Sequence, residues 1–111
     1  MSSIRQHKIE SAIREELSNY LLRHSSEFSL GSMITLTVVR ISPDLSLAKC
    51  YVSIFGKTEK TKVLESIKYQ QGKIKRELGA RLKNMRKIPE LRFYIDDSFD
   101  YAEKIDKLLK K

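Results

Sequence analysis

The chain has 111 residues, of which 41% are hydrophobic, a net charge of +8 and one cysteine. This length predicts a single domain, residues 1–111, and the lone cysteine excludes an internal disulfide. No apolar run approaches the roughly 20 residues that cross a bilayer, so we expect a cytoplasmic protein that makes no membrane contact.

A helix opens the chain. From Ser3 to about His24 the apolar residues recur every three or four positions, which is the period of an amphipathic helix with one buried stripe. The segment SSEFSLGS that follows contains Ser and Gly, which favour the end of a helix.

Two strands joined by a tight turn come next. In MITLTVVRIS, alternation predicts that Ile34, Leu36 and Val38 share the buried face, and SLAKCYVSIF repeats the pattern. Cys50 falls on the buried face of the second strand, so we expect an inert thiol. Between the strands lies a proline turn in which Asp44 can accept a backbone hydrogen bond from two residues on. The pattern predicts a hairpin.

The second half of the chain returns to helical spacing, interrupted by Gly72. A glycine inside a helix costs about 1 kcal/mol relative to alanine, so the pattern predicts two helices, roughly 58–70 and 73–87, that meet at a bend. Pro89 is expected to end the second helix.

A third strand, ELRFYID, and a short last helix complete the predicted elements. The last helix carries three apolar residues: Ile105, Leu108 and Leu109. The order helix, strand, strand, helix, helix, strand, helix predicts an α+β domain with a three-stranded sheet and helices packed on one face.

The excess positive charge is confined to one segment. Residues 57–87 hold eleven Lys or Arg against three Glu, whereas the rest of the chain is nearly balanced. On a helix over 73–87 the outward cations would form a stripe roughly 21 Å long. They are Lys73, Arg76, Lys83 and Lys87, flanked by Lys75, Arg81 and Arg86. A face kept only for solubility normally mixes signs, so this stripe predicts a phosphate-bearing partner.

Gly72 has two interpretations that the residues leave open. A helix that begins at about Lys73 exposes backbone N–H groups, and a glycine before it lets a phosphate or sugar approach closely. Alternatively, Gly72 only ends a helix.

No catalytic or metal-binding arrangement is recognisable. His7 and His24 have no cysteine partner nearby, so no zinc site is expected. The acidic residues Asp96, Asp97 and Asp100 are expected to cap the last helix rather than to bind a metal. We therefore expect neither a cofactor nor an enzyme. A module that docks an acidic protein, and a nuclease with its metal at Asp97, remain as alternatives.

Two motifs resemble a known family. VVRISPDLSLAKCYVSIFG and RKIPELRFYIDDS are similar to segments of ribosome-binding factor A, and the similarity runs from about Arg5 to Leu109. The resemblance implies a type II KH-like RNA-binding domain in which a helix kink at Ala-x-Gly replaces the Gly-x-x-Gly loop. Gln70, Gln71 and Gly72 occupy that motif here, with Gln70 in place of the alanine.

The resemblance also implies a function. Members of the family bind the immature small ribosomal subunit, contact 16S rRNA near the decoding region, and assist late assembly and 5′-end processing, especially in the cold. They are not enzymes, and a monomer is expected. The residues expected to contact rRNA are Lys73, Lys75, Arg76, Arg81, Lys83, Arg86 and Lys87, with Arg5 and Lys8 adding contacts.

Overall fold

The computed structural model describes residues 4–83, 85 and 87–96. Its elements are α1 (Ile4–Arg23), α2 (Ser25–Phe28), β1 (Met33–Ile41), β2 (Leu47–Phe55), α3 (Lys60–Tyr69), α4 (Gln71–Arg81) and β3 (Glu90–Ile95). The predicted order is confirmed up to the third strand, and α2 is an additional single turn of helix. The predicted last helix lies outside the described residues.

The strands form one mixed sheet in the order β1-β2-β3. β1 and β2 are antiparallel, as the hairpin prediction required, and β3 is parallel to β2. A parallel neighbour requires the chain to return from the end of β2 to its beginning, and α3 and α4 make that crossover. The sheet pairing begins beside the hairpin turn, where the Glu90 N–H donates to the Ser46 carbonyl at 2.9 Å.

The core lies between the helices and one face of the sheet. α1 packs on β1, α3 on β2 and β3, and α4 on α1 and β3. Buried helix residues are Ile13, Leu17, Tyr20, Leu21, Val63, Ile67, Ile74 and Leu78, and buried strand residues include Val39, Ala48, Cys50, Val52, Leu91 and Phe93. On the opposite face, Lys49 and Arg92 are exposed. The described helices therefore pack on one face, as predicted.

The predicted buried face of β1 is wrong beyond Leu36. The pairing with β2 shifts between Leu36 and Val38, which places an extra residue, Thr37, in β1. Because a bulge reverses the alternation after it, Val39 and Ile41 are buried while Val38 turns to the opposite face. The alternation of residue types in the sequence gives no sign of this shift.

The predicted extent of the second basic helix is also wrong. α4 begins two residues before Lys73 and ends at Arg81 rather than at residue 87. The Leu82 carbonyl accepts the Met85 N–H at 3.0 Å, so a turn follows the helix directly. After Arg81 the chain must still reach Ser46, where the pairing of β3 begins. The eight residues after Arg81 span a longer distance as non-helical chain than as a helix, which rises only about 1.5 Å per residue.

Candidate nucleic-acid interface

The exposed side of α4 carries part of the predicted cationic stripe. Ile74 and Leu78 are buried, whereas Lys73, Arg76 and Arg81 are exposed, as the helical period predicted. The remaining cation of this helix, Lys75, is half-buried. Within α4, therefore, the inward and outward faces are those expected from the sequence.

The stripe does not continue as helix beyond Arg81. Lys83 and Lys87 are both exposed, but they lie in the turn and loop that connect α4 to β3. Arg86 lies outside the described residues. The cations are consequently distributed over a helix and a loop, and their spacing is no longer fixed by one helical period.

A cleft of about 760 Å³ brings Lys87 together with Arg5 and Lys8. The remaining walls are apolar or polar side chains of α1, the hairpin turn and the loop before β3: Ile9, Asp44, Leu45, Ser46, Met85 and Pro89. Because Lys87 lies far along the chain from Arg5 and Lys8, only the fold brings the three cations together. Two of them, Arg5 and Lys8, are three residues apart on α1, a spacing that places side chains on one helix face.

Hydrogen bonds hold the start of α1 beside the hairpin and so position Arg5 and Lys8. The buried Gln6 donates through Nε2 to the Ile41 carbonyl at 3.0 Å, and Glu10 Oε1 accepts the Ile41 N–H at 3.1 Å. Both bonds join α1 to the last residue of β1. The first turns of α1 are therefore fixed at the hairpin end of the sheet.

One carboxylate, Asp44, also lines the cleft. Its Oδ1 accepts hydrogen bonds from the Ser42 hydroxyl at 2.7 Å, the Ser46 hydroxyl at 2.7 Å and the Ser46 N–H at 3.1 Å. These bonds, that from Ser42 first, lower the pKa of Asp44 from 3.8 to about 2. The carboxylate thus stays charged while it orders the turn, and the described residues that line the cleft include three cations and one anion.

Lys73 has an acidic neighbour that the sequence did not indicate. Its Nζ lies 3.4 Å from Glu27 Oε1, and Glu27 Oε2 lies 3.2 Å from His24 Nδ1. Glu27 belongs to α2, the short helix absent from the predicted elements. No spacing in the sequence relates residue 27 to residue 73, so only tertiary packing shows that this cation is already paired.

The break between α3 and α4 lies at Gln70, which has φ −87° and ψ 1°. The Gln70 N–H donates to the Ile67 carbonyl at 3.0 Å, and its own carbonyl accepts the Ile74 N–H at 2.9 Å. Gly72 lies in the first turn of α4 and therefore does not end α3. A Cβ built on Gly72 would have no atom within 4 Å, so this position faces open space.

The chemistry of the other candidate groups is restricted. Cys50 is buried, as expected, and burial raises the pKa of its thiol to about 12. Within the described residues no cluster of His, Cys, Asp or Glu is placed to hold a metal ion. Asp97 and Asp100 lie outside those residues. Of the helices at 4–81, none is both long and apolar enough to cross a membrane.

Comparisons with known proteins agree on one family. The family model described as ribosome-binding factor A matches residues 5–109. Ribosome-binding factor A of Cytophaga hutchinsonii is 41% identical over 112 residues, which cover all of this chain and 84% of the relative.

A crystal structure and a fitted homology model share the fold. The crystal structure of ribosome-binding factor A from Thermus thermophilus has a TM-score of 0.69 at 22% identity, covering 81% of this chain and 94% of that one. A homology model of the Thermus thermophilus factor, fitted into the cryo-EM map of its complex with 30S, has a TM-score of 0.66 at 22% identity and covers 81% and 93%.

Proposed function

This chain belongs to the ribosome-binding factor A family, and on that basis we propose that it binds the immature small ribosomal subunit through 16S rRNA. The bound protein assists late assembly and 5′-end processing in the cytoplasm, including at low temperature. It acts as a monomeric KH-like binding factor and not as an enzyme. The Thermus thermophilus factor fitted into a 30S map supports the choice of partner.

The observation that carries the proposal is the grouping of exposed cations at and beyond the end of α4. Arg5, Lys8 and Lys87 line one cleft, in which Asp44 is the one carboxylate among the described residues. Arg76 and Arg81 add exposed positive charge on the helix that leads towards this loop. A surface with this charge and no opposing acidic cluster favours a partner that carries successive phosphates.

Recognition at this surface depends on phosphate and sugar contacts rather than on reading bases. Among the described residues that line the cleft, none is aromatic. Folded RNA is recognised in this way, through shape and backbone charge. Binding should consequently weaken steeply with salt, the logarithm of the affinity falling by about 0.7 to 0.9 per neutralised phosphate.

Reversing two loop charges tests the proposal. The double variant Lys83→Glu/Lys87→Glu should lose co-sedimentation with immature small subunits while its melting temperature stays close to that of the parent chain, because both side chains are exposed. The matched control is Lys57→Glu/Lys62→Glu, which makes the same charge change. These two lie after the far end of β2 and in the first turn of α3, roughly 30 Å along the strand from the hairpin turn.

The outcomes separate RNA from protein as the partner. Loss of sedimentation in the loop variant but not in the control supports the proposal, provided that added competitor RNA also displaces the parent chain. Equal sedimentation of the two variants would reject this surface. Displacement by an acidic protein but not by RNA would instead identify a module that docks a protein face.

A further inference from the structure

The face of the sheet that the described helices leave uncovered carries its own cationic and aromatic groups. Arg40 of β1 pairs in register with Lys49 of β2, and Lys49 pairs with Arg92 of β3. All three side chains are exposed, and each is flanked along its strand by buried residues, so they point to the same face. Neighbouring strands lie about 4.8 Å apart, so this row places three positive charges across roughly 10 Å.

The next row of the same face is aromatic. Tyr51 pairs in register with Tyr94, and their rings stack with centroids 5.4 Å apart. Tyr94 is 37% exposed, so part of the stacked pair is open to solvent. We call Arg40, Lys49, Arg92, Tyr51 and Tyr94 the sheet-face cluster.

The row of three cations is unfavourable for the stability of the fold. Like charges directly opposite one another on adjacent strands are destabilising, and Lys49 stands opposite a cation on both sides. Among the described residues, no ion pair relieves any of the three cations. Among the described residues, the carboxylates on this side are Glu90, two residues before Arg92, and Asp96, which accepts a hydrogen bond from Thr37.

We propose that the sheet-face cluster binds an unpaired segment of RNA, whose phosphates contact the three cations and whose base stacks on the Tyr51–Tyr94 pair. Positive charge beside an exposed aromatic ring is the arrangement that single-stranded nucleic acid fits. A folded helix would present its phosphates to the cations but no open base to the rings. An acidic peptide would satisfy the cations and leave the stacked rings without a specific partner.

This site is distinct from the surface proposed for subunit binding. The cluster lies on the sheet face opposite the helices, whereas the cations of α4 lie on the helical side. The two surfaces together allow the protein to hold structured rRNA on one side and an unpaired strand on the other. Neither proposal depends on the other, since each can be measured with its own ligand.

The test measures anisotropy of a labelled oligouridylate of about twelve nucleotides, with the full-length chain at about 50 mM salt. Tyr94→Leu should weaken binding about fivefold or more, because one stacking platform is lost. Tyr69→Leu is its control, since Tyr69 is 90% exposed on α3 and lies outside the cluster. It should bind as the parent chain does.

Lys49→Gln gives a second readout that a purely structural role would not produce. The variant should melt at a higher temperature, because the like-charge repulsion is relieved, and yet bind the oligonucleotide more weakly. The slope of the logarithm of the affinity against the logarithm of the salt concentration should become shallower by about 0.7. Its control, Lys62→Gln, removes one exposed charge from α3 and should change neither quantity appreciably.

Three results would overturn the proposal. The first is absence of oligonucleotide binding by the parent chain. The second is an equal loss in the Tyr69 or Lys62 controls. The third is normal oligonucleotide binding by Tyr94→Leu combined with loss of subunit binding, which would assign the face to a ribosomal protein. Failure of the subunit-binding proposal alone would leave the oligonucleotide result unchanged.

Discussion

Lys73 Nζ of α4 lies 3.4 Å from Glu27 Oε1 of α2, so a cation that we propose to bind RNA is already paired with an acid in the free protein. Both side chains are partly exposed, at 45% for Lys73 and 38% for Glu27. Exposed pairs of this kind contribute about 1 kcal/mol or less to folding. A phosphate can therefore displace the carboxylate at small cost, but the competition should weaken RNA binding.

Removing the competing carboxylate should strengthen binding. We expect Glu27→Gln to raise the affinity for immature subunits a few fold, because one more cation is available. The slope of the logarithm of the affinity against the logarithm of the salt concentration should become steeper by up to about 0.9. Filter binding over a series of salt concentrations measures both. Glu65→Gln, which makes the same charge change on the exposed side of α3, is the control. An equal rise in both variants would show that only net charge matters.

Two glycines should respond in opposite ways to alanine. A methyl group on Gly72, in the first turn of α4, would have no atom within 4 Å. Gly72→Ala should therefore raise the unfolding free energy by about 0.5 to 1 kcal/mol. A methyl on Gly56 would lie 2.9 Å from the Ser32 Cα, so Gly56→Ala should lower it by about 1 to 3 kcal/mol. Urea denaturation of both variants measures these changes.

Gly72→Ala also tests whether RNA approaches α4 closely. Since the fold gains stability from the methyl, the glycine has no packing reason of its own. We expect subunit affinity to fall although the melting temperature rises. Unchanged affinity would mean that no ligand atom packs against this turn of α4.

The elements that the sequence predicted best are those whose period is uninterrupted. The burial of Ile13 and Leu17 on α1, and of Ala48 and Cys50 on β2, follows directly from spacing. In β1 the alternation fails because Thr37 is an extra residue. Its hydroxyl donates to Asp96 Oδ2 at 2.6 Å across the sheet, a partner 59 positions away. The local sequence pattern cannot predict a contact between residues so far apart in the chain.

The candidate site shows the same limit. Periodicity correctly placed Lys73 and Arg76 outward, because both lie within α4. It wrongly placed Lys83 and Lys87 on the same helix, because α4 ends at Arg81, although both side chains are exposed as predicted. The register of β3 beside β2 could not be predicted from the sequence either. The row of cations across the sheet depends on that register, so it was not predicted.

Acid should remove the contribution of Asp44 to stability. Its pKa is lowered from 3.8 to about 2, so the charged form favours the folded state above pH 3.8 and that contribution is lost as the pH falls towards 2. Asp44→Asn should melt below the parent chain at about pH 7, and the gap should close at about pH 2. Thermal melts across this range check the sign. A gap that stays constant would show that charge on Asp44 is immaterial.

Tyr20 should tolerate loss of its hydroxyl but not of its ring. The side chain is 1% exposed and stacks on His24 with centroids 4.3 Å apart. Its hydroxyl is buried without a hydrogen-bond partner among the described residues, and burial raises its pKa. Tyr20→Phe removes this desolvated group and keeps the packing, so the unfolding free energy should stay level or rise by up to about 1 kcal/mol.

The truncation Tyr20→Ala provides the contrast, with an expected loss of about 3 to 5 kcal/mol from the cavity that it leaves in the core. Urea denaturation of the two variants separates the hydroxyl from the ring. If Tyr20→Phe costs more than about 1 kcal/mol, the hydroxyl must be hydrogen-bonded in solution, because only loss of a made bond gives that sign.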